Sequence, residues 1–123
     1  MITIMDAIQA LKPGAECLVR GDTYSGIEWL DKSQTQPTED EVNAKVTELA
    51  NVEPMRLLRE ERDYRISKSD WRVTKAKETS TNISAAWKTY RQALRDLPAS
   101  STPTLDSNGY LNMSSVTWPT EPS

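Results

Sequence analysis

The chain has no histidine and no phenylalanine, and only one cysteine and four glycines among its 123 residues. Without histidine it lacks the commonest metal ligand and the commonest general base near neutral pH. A lone Cys17 builds neither an intrachain disulfide nor a cysteine zinc cluster, and in its strand-like run it reads as a small core residue. No apolar run approaches the ~20 residues that cross a bilayer, and the N-terminus has no basic region ahead of its short apolar stretch. A soluble protein of a reducing cytoplasm is expected, without a membrane partner.

Large apolar side chains are scarce too. Only 37% of the residues are apolar, and the aromatic content rests on four tryptophans and four tyrosines. A core built from so little is modest, and such a chain often completes its stability by binding something. Tryptophan, tyrosine and arginine are the residue types enriched at binding hot spots, but the same tryptophans serve equally well as the centre of a small core.

Charge is present in both signs, 18 acidic against 15 basic residues for a net −3, which argues against a general nucleic-acid binder. Its distribution is uneven. Residues 37–55 hold five acids (Glu39, Asp40, Glu41, Glu48, Glu53) and one base, Lys45, whereas residues 56–96 hold eleven bases and six acids. Either the two stretches pack with complementary charge, or the basic one faces an acidic partner; charged helix faces are most often solvated surface.

Catalytic candidates reduce to carboxylates, lysines, tyrosines, serines and Cys17. Glu60, Glu61, Asp63 and Asp70 supply enough acids for a glycosidase pair. Nothing in their spacing selects two for opposite sides of a substrate, and each has an arginine close in sequence. Ion pairing lowers a carboxylate pKa, the wrong direction for a general acid. Residues 21–26 have the glycine spacing of a phosphate loop without the Gly-Lys-Ser/Thr that follows one, and read as a turn. No cluster has calcium-loop or zinc spacing. No enzyme, metal or cofactor is expected.

The periodicity predicts an α+β fold in three stretches. In residues 1–36, Thr3 and Asp6 sit at capping-box spacing before an apolar face of Ile4, Ile8 and Leu11, and Pro13-Gly14 stops the helix. Two strand-like runs follow, 16–20 and 27–31, joined by a turn at 21–26. A two-stranded hairpin is only marginally stable, so it needs the helix, a further strand or a partner. In residues 37–98, Thr38 and Glu41 form a second capping box before the stripe Val42, Val46, Leu49 and Ala50. A break or kink near 51–53 is expected, with a second helix starting at Pro54 and running to about Lys68. A polar connection at 72–81, with a short strand at 71–74, precedes a helix capped by Ser84 and stopped by Pro98. Trp87, Tyr90 and Leu94 share one face of that helix, which predicts a helical hairpin or short bundle with Trp71 at the junction. Residues 99–123 are rich in serine, threonine, proline and asparagine, an extended polar tail that is either disordered or docked, on its own domain or on a partner.

Two segments carry a further signal. One is Leu58-Arg59-x-x-Arg62-Asp63-x-x-Ile66-x-x-x-Asp70-Trp71; the other is Trp87-x-x-Tyr90-Arg91-Gln92-Ala93-Leu94-Arg95-Asp96-Leu97-Pro98. In the first, Arg56, Arg59, Arg62 and Arg65 recur every third residue, a step that falls about 60° short of a full helical turn. The four therefore fan over nearly half the helix and cannot all meet one flat partner. Together with the final Trp118-Pro119-Thr120-Glu121-Pro122, these segments resemble the tail-fibre assembly chaperone proteins of tailed bacteriophages, from about Pro37 to the C-terminus. That family shows LRxxRDxxLxxxDW, with leucine where Ile66 stands here, then WxxYRxALRDLP and WPxxP. The N-terminal part, with Pro13-Gly14-Ala15, Gly26-Ile27-Glu28-Trp29 and Pro37-Thr38-x-x-Glu41, also resembles small proteins found beside fibre genes in prophages. The stretch 72–84 departs from the family in its lysines and threonines.

The resemblance implies a protein of the infected host cytoplasm that binds the tail-fibre polypeptide and assists its folding, trimerisation or attachment, without ATP. Arg59, Arg62, Trp71, Trp87, Tyr90, Arg91 and Trp118 are the candidate partner-binding residues, and other tail or baseplate proteins or a second copy are further partners. The competing reading keeps the same protein in the virion as a permanent part of the fibre or baseplate. A third, a small regulator that binds nucleic acid through its arginine-rich helix, has net acidity and the interleaved acids against it.

Overall fold

A computed structural model describes all of residues 1–123. It contains α1 (Ile4–Leu11), β1 (Cys17–Val19), β2 (Ile27–Trp29), α2 (Glu39–Ser67), α3 (Asp70–Glu78) and α4 (Ala85–Ser100). The α+β class follows from these elements. The chain divides into two compact units, Met1–Glu53 and Pro54–Ser123. No helix is long and apolar enough to cross a membrane.

In the first unit α1 starts where the sequence predicts. The Asp6 amide donates to Thr3 Oγ1 at 3.2 Å while the Thr3 amide donates to the Asp6 carboxylate at 2.8 Å, so two of the helix's orphan donors are satisfied. β1 and β2 pair antiparallel, with Cys17 opposite Trp29, Leu18 opposite Glu28 and Val19 opposite Ile27. Alternation puts Cys17, Val19, Ile27 and Trp29 on the face that packs on buried Ile4, Ala7, Ile8 and Val42. The loop between the strands needs Gly26, because a Cβ there would lie 1.8 Å from the Arg20 carbonyl oxygen. Fully buried Pro37 is held by its carbonyl, which accepts from the Tyr24 hydroxyl at 2.8 Å. The second predicted capping box is also present, between Thr38 and Glu41.

Three sequence expectations are corrected. Of the break or kink expected at 51–53, the break does not occur: α2 runs as one long bent helix from Glu39 through Pro54 to Ser67. Pro54 has no N–H to give the Ala50 carbonyl, and the division between the units falls at this position. The stretch expected to be a connection with a short strand at 71–74 is instead helix α3. Asp70 in its first turn and Lys75 and Lys77 in its last complement the helix dipole. α3 ends in a Schellman motif, with the Thr81 amide on the Ala76 carbonyl, the Ser80 amide on that of Lys77, and Ser80 left-handed at φ 52°. Finally, Pro98 does not stop α4, which reaches Ser100. So near the end a proline deletes a single helical hydrogen bond, and the Ser100 and Ser101 hydroxyls donate to the Leu97 carbonyl.

The second unit buries Leu58 of α2 with Leu97 of α4 and Val116 of the tail, and beside them Trp87, Tyr90 and Leu94. Trp118 packs against both clusters. The C-terminal stretch is thus docked on its own unit. Leu105 bridges Leu111 in antiparallel fashion, and the Asp106 carboxylate accepts from the Asn108 and Tyr110 amides to tie the turn between them.

Candidate protein-binding site

The two motif segments meet in the second unit through one arginine. Arg91 Nη1 donates to the Ile66 carbonyl at 3.0 Å and to Ser69 Oγ at 2.6 Å, and its Nη2 lies 2.9 Å from Asp70 Oδ1. These bonds fasten the end of α2 and the first turn of α3 to α4. The planar guanidinium suits the task, since a fork of donors in fixed geometry reaches three acceptors at once.

α3 held in this way carries Trp71 at its start, 53% exposed. The Arg72 guanidinium stacks on two tryptophan rings, 4.5 Å from the Trp71 centroid and 3.9 Å from that of Trp87. Trp87 is 6% exposed and meets Tyr90 edge to face at 5.6 Å. Burial pushes the Tyr90 phenol pKa up, Glu121 adds to the rise and Arg65 opposes it, so the hydroxyl stays neutral. Beside this stack lies a cleft of about 270 Å³ bordered by Trp71, Arg72, Lys75, Ala76, residues 81–84 and Trp87. Its charged groups are Arg72 and Lys75, with no carboxylate among the lining residues. The cleft sets the half-exposed Trp71 ring beside two cations and the polar groups of Thr81, Asn82 and Ser84.

The other candidates fall elsewhere. Tyr90 is 6% exposed, so like Trp87 it is chiefly core. Arg91 is spent on the α3 anchor. Arg62 is mostly covered, pairs with Asp63 at 2.7 Å and reaches the Arg95 carbonyl at 3.4 Å. Arg59 is exposed and makes no ion pair. Trp118 is half-buried with Arg65 over its ring at 4.0 Å, and its indole N–H is buried with no acceptor. The structure thus gathers Trp71 and Trp87 at the cleft. Sequence reasoning missed Arg72 and Lys75, because residues 72–81 read as a connection; the signal was the Trp71-Arg72 pair beside Lys75 at helical spacing.

Residues 55–123, more than half of the chain, match the family described as phage tail assembly chaperone protein. The match begins at residue 55 and not near Pro37, so it leaves the first unit outside. Comparisons with curated proteins and with solved structures give no match. The matched stretch contains both motif segments, the Arg91 anchor, the whole cleft and the docked tail, and the chain belongs to the phage tail assembly chaperone protein family.

Proposed function

We propose that the assembly client is the tail-fibre polypeptide, and that the Trp71–Arg72–Trp87 cleft holds an extended stretch of it until its chains fold and trimerise. The observation that carries this reading is a half-exposed tryptophan on a short anchored helix, beside a cleft with two cations and no acid. An unassembled fibre exposes apolar side chains and unpaired strand edges that aggregate unless covered. The exposed Trp71 ring covers the first, and Arg72, Lys75 and Asn82 answer backbone carbonyls or acids in the second. A transient role is favoured over permanent residence by the tail, whose Leu111, Val116 and Trp118 are committed to their own unit and not free to wrap a neighbour.

Co-expression with the fibre polypeptide tests the proposal. Trp71→Ala and Arg72→Glu should leave the chaperone folded, since Trp71 is half exposed and a cation–π contact is worth only ~0.5–1 kcal/mol at an exposed ring and about 2 kcal/mol at a buried one such as Trp87. The yield of soluble, detergent-resistant fibre trimer should fall several-fold with either variant. Wild-type trimer yields with both would remove the cleft from the mechanism, and equal yields without any chaperone would remove the fibre as client.

A further inference from the structure

The first unit lies outside the family match and has an unpaired strand edge. The Arg20 amide donates to the Gly26 carbonyl and the Leu30 amide to that of Glu16. By the alternation of an antiparallel ladder, Glu16, Leu18 and Arg20 turn their backbone groups toward β2, while Cys17 and Val19 turn theirs outward. The β2 edge is partly used, because the Ile27 amide donates back to Tyr24. On β1 the outward amides and carbonyls of Cys17 and Val19 have no partner. Leu18, on the face away from the core, is 48% exposed. Natural edges are usually protected by charge, bulges or proline, and β1 instead shows an apolar residue flanked by one acid and one base.

We infer that β1 is a self-association edge, at which a second copy of this chain adds its own β1 antiparallel with the two-fold axis at Leu18. In that register Cys17 of one copy stands opposite Val19 of the other, so the four outward backbone groups on each side find partners. Leu18 stands opposite Leu18, in the close non-hydrogen-bonded position. Glu16 stands opposite Arg20 twice, once on each side of the axis, and Arg20, already 2.8 Å from Glu28 of its own strand pair, then lies between two carboxylates. Centring the pair one residue earlier or later sets Leu18 against Glu16 or Arg20 and loses the match. The product is a sheet of order β2-β1-β1-β2, and four strands supply what a lone hairpin lacks. The strands are short, so association is reversible and concentration-dependent.

Sedimentation velocity of the full chain up to about 1 mM should show a monomer–dimer equilibrium. Leu18→Lys should abolish it with an unchanged circular dichroism spectrum, because Leu18 is half exposed and takes no part in the core cluster. Glu16→Arg or Arg20→Glu alone should weaken it and the double reversal restore it. In a Cys17→Ala background, Leu18→Cys should oxidise to a covalent dimer about tenfold or more faster than Leu30→Cys, since facing residues of a non-hydrogen-bonded pair, ~4.5 Å apart, lie within disulfide reach. Leu30 is exposed on the same face but away from the axis. A wild-type chain that stays monomeric throughout, or equal oxidation rates for the two cysteines, would overturn the inference.

Discussion

The first unit closes over four buried aliphatic side chains, Ile4, Ala7, Ile8 and Val42, whereas the second is filled by Trp87, Tyr90 and leucines with arginine guanidinium groups laid over tryptophan rings. The small unit fixes its backbone with short polar side chains: Thr3, Asp6, Asp22, Asp31, Thr38 and Glu41 all bond to main-chain groups. In the matched unit Ser84, Asp106 and Asn112 do the same for the α4 cap and the tail, and Arg91 is added to fasten α3, with Arg65 stacked on Trp118. The excess of bases after residue 56 is therefore not a free cationic surface. Arg62, Arg65, Arg72 and Arg91 are tied to the backbone, to carboxylates or to rings, while Arg59, Lys75, Lys77 and Lys88 stay exposed.

That contrast can be broken most forcefully at the centres. Trp87→Ala should cost the second unit about 3–5 kcal/mol, the usual range for emptying a buried tryptophan site, and Ile8→Ala should cost the first about 2–5 kcal/mol. Amide hydrogen exchange read residue by residue checks both. Each variant should strip protection from its own unit, and a Trp87→Ala protein that also exposes the Ile8 amide would join the two into one cooperative block.

A smaller effect sharpens the role of arginine. Arg91→Lys keeps the charge and loses the fork, so one ammonium cannot serve Ile66, Ser69 and Asp70 together. Hydrogen bonds to charged groups are worth ~1.5–3 kcal/mol, and Asp70 is well exposed, so the lower part of that range applies after solvent screening. The loss should appear as faster exchange across α3 with little change in α1. Unchanged α3 protection would mean that its own capping suffices.

Both capping boxes, the hairpin and the helical face of Trp87, Tyr90 and Leu94 were legible in the sequence, because each is set by side chains within a few positions of one another. The sequence leaves open whether Pro54 breaks α2 or only bends it, and the existence of α3 was not legible. Local rules allow a break or a kink at proline and assign a loop to lysine and threonine, while what holds α3 is Arg91, more than twenty residues away. The site shows the same limit: Trp71 and Trp87 announced themselves as large aromatics, but Arg72 between them became visible only once α3 was a helix. Trp118 read as a partner-binding residue on a tail docked on its own domain or on a partner, and the structure packs it, half-buried, against two clusters of the second unit.

The smallest test lies in the polar bonds of the first unit. Asp31 closes the end of the hairpin: Oδ2 accepts from the Glu16 amide at 3.0 Å, and Oδ1 accepts from the amides of Ser33 and Gln34 at 2.8 Å each and from the Ser33 hydroxyl at 2.9 Å. These donors, led by the Glu16 amide, hold its pKa down at about 2 against an ordinary 3.8. A carboxylate whose pKa is depressed by folding stabilises the fold above its unfolded pKa, and the contribution is lost as pH falls through the folded one. The loss should therefore run from pH 3.8 down to about 2. Asp31→Asn keeps one acceptor oxygen and removes the ionisation, so it should start less stable at neutral pH, lose less across that window, and converge with the wild type at its acid end. Urea titrations followed at the amides of α1 give both curves. Glu41, also lowered, first by the Thr38 amide and then by its hydroxyl, accounts for acid sensitivity left in Asp31→Asn, and adding Glu41→Gln should flatten it further. Parallel wild-type and Asp31→Asn curves would mean that the unfolded chain keeps the same bonds around Asp31, and that the polar ties of the first unit are local habits of its sequence and not consequences of its fold.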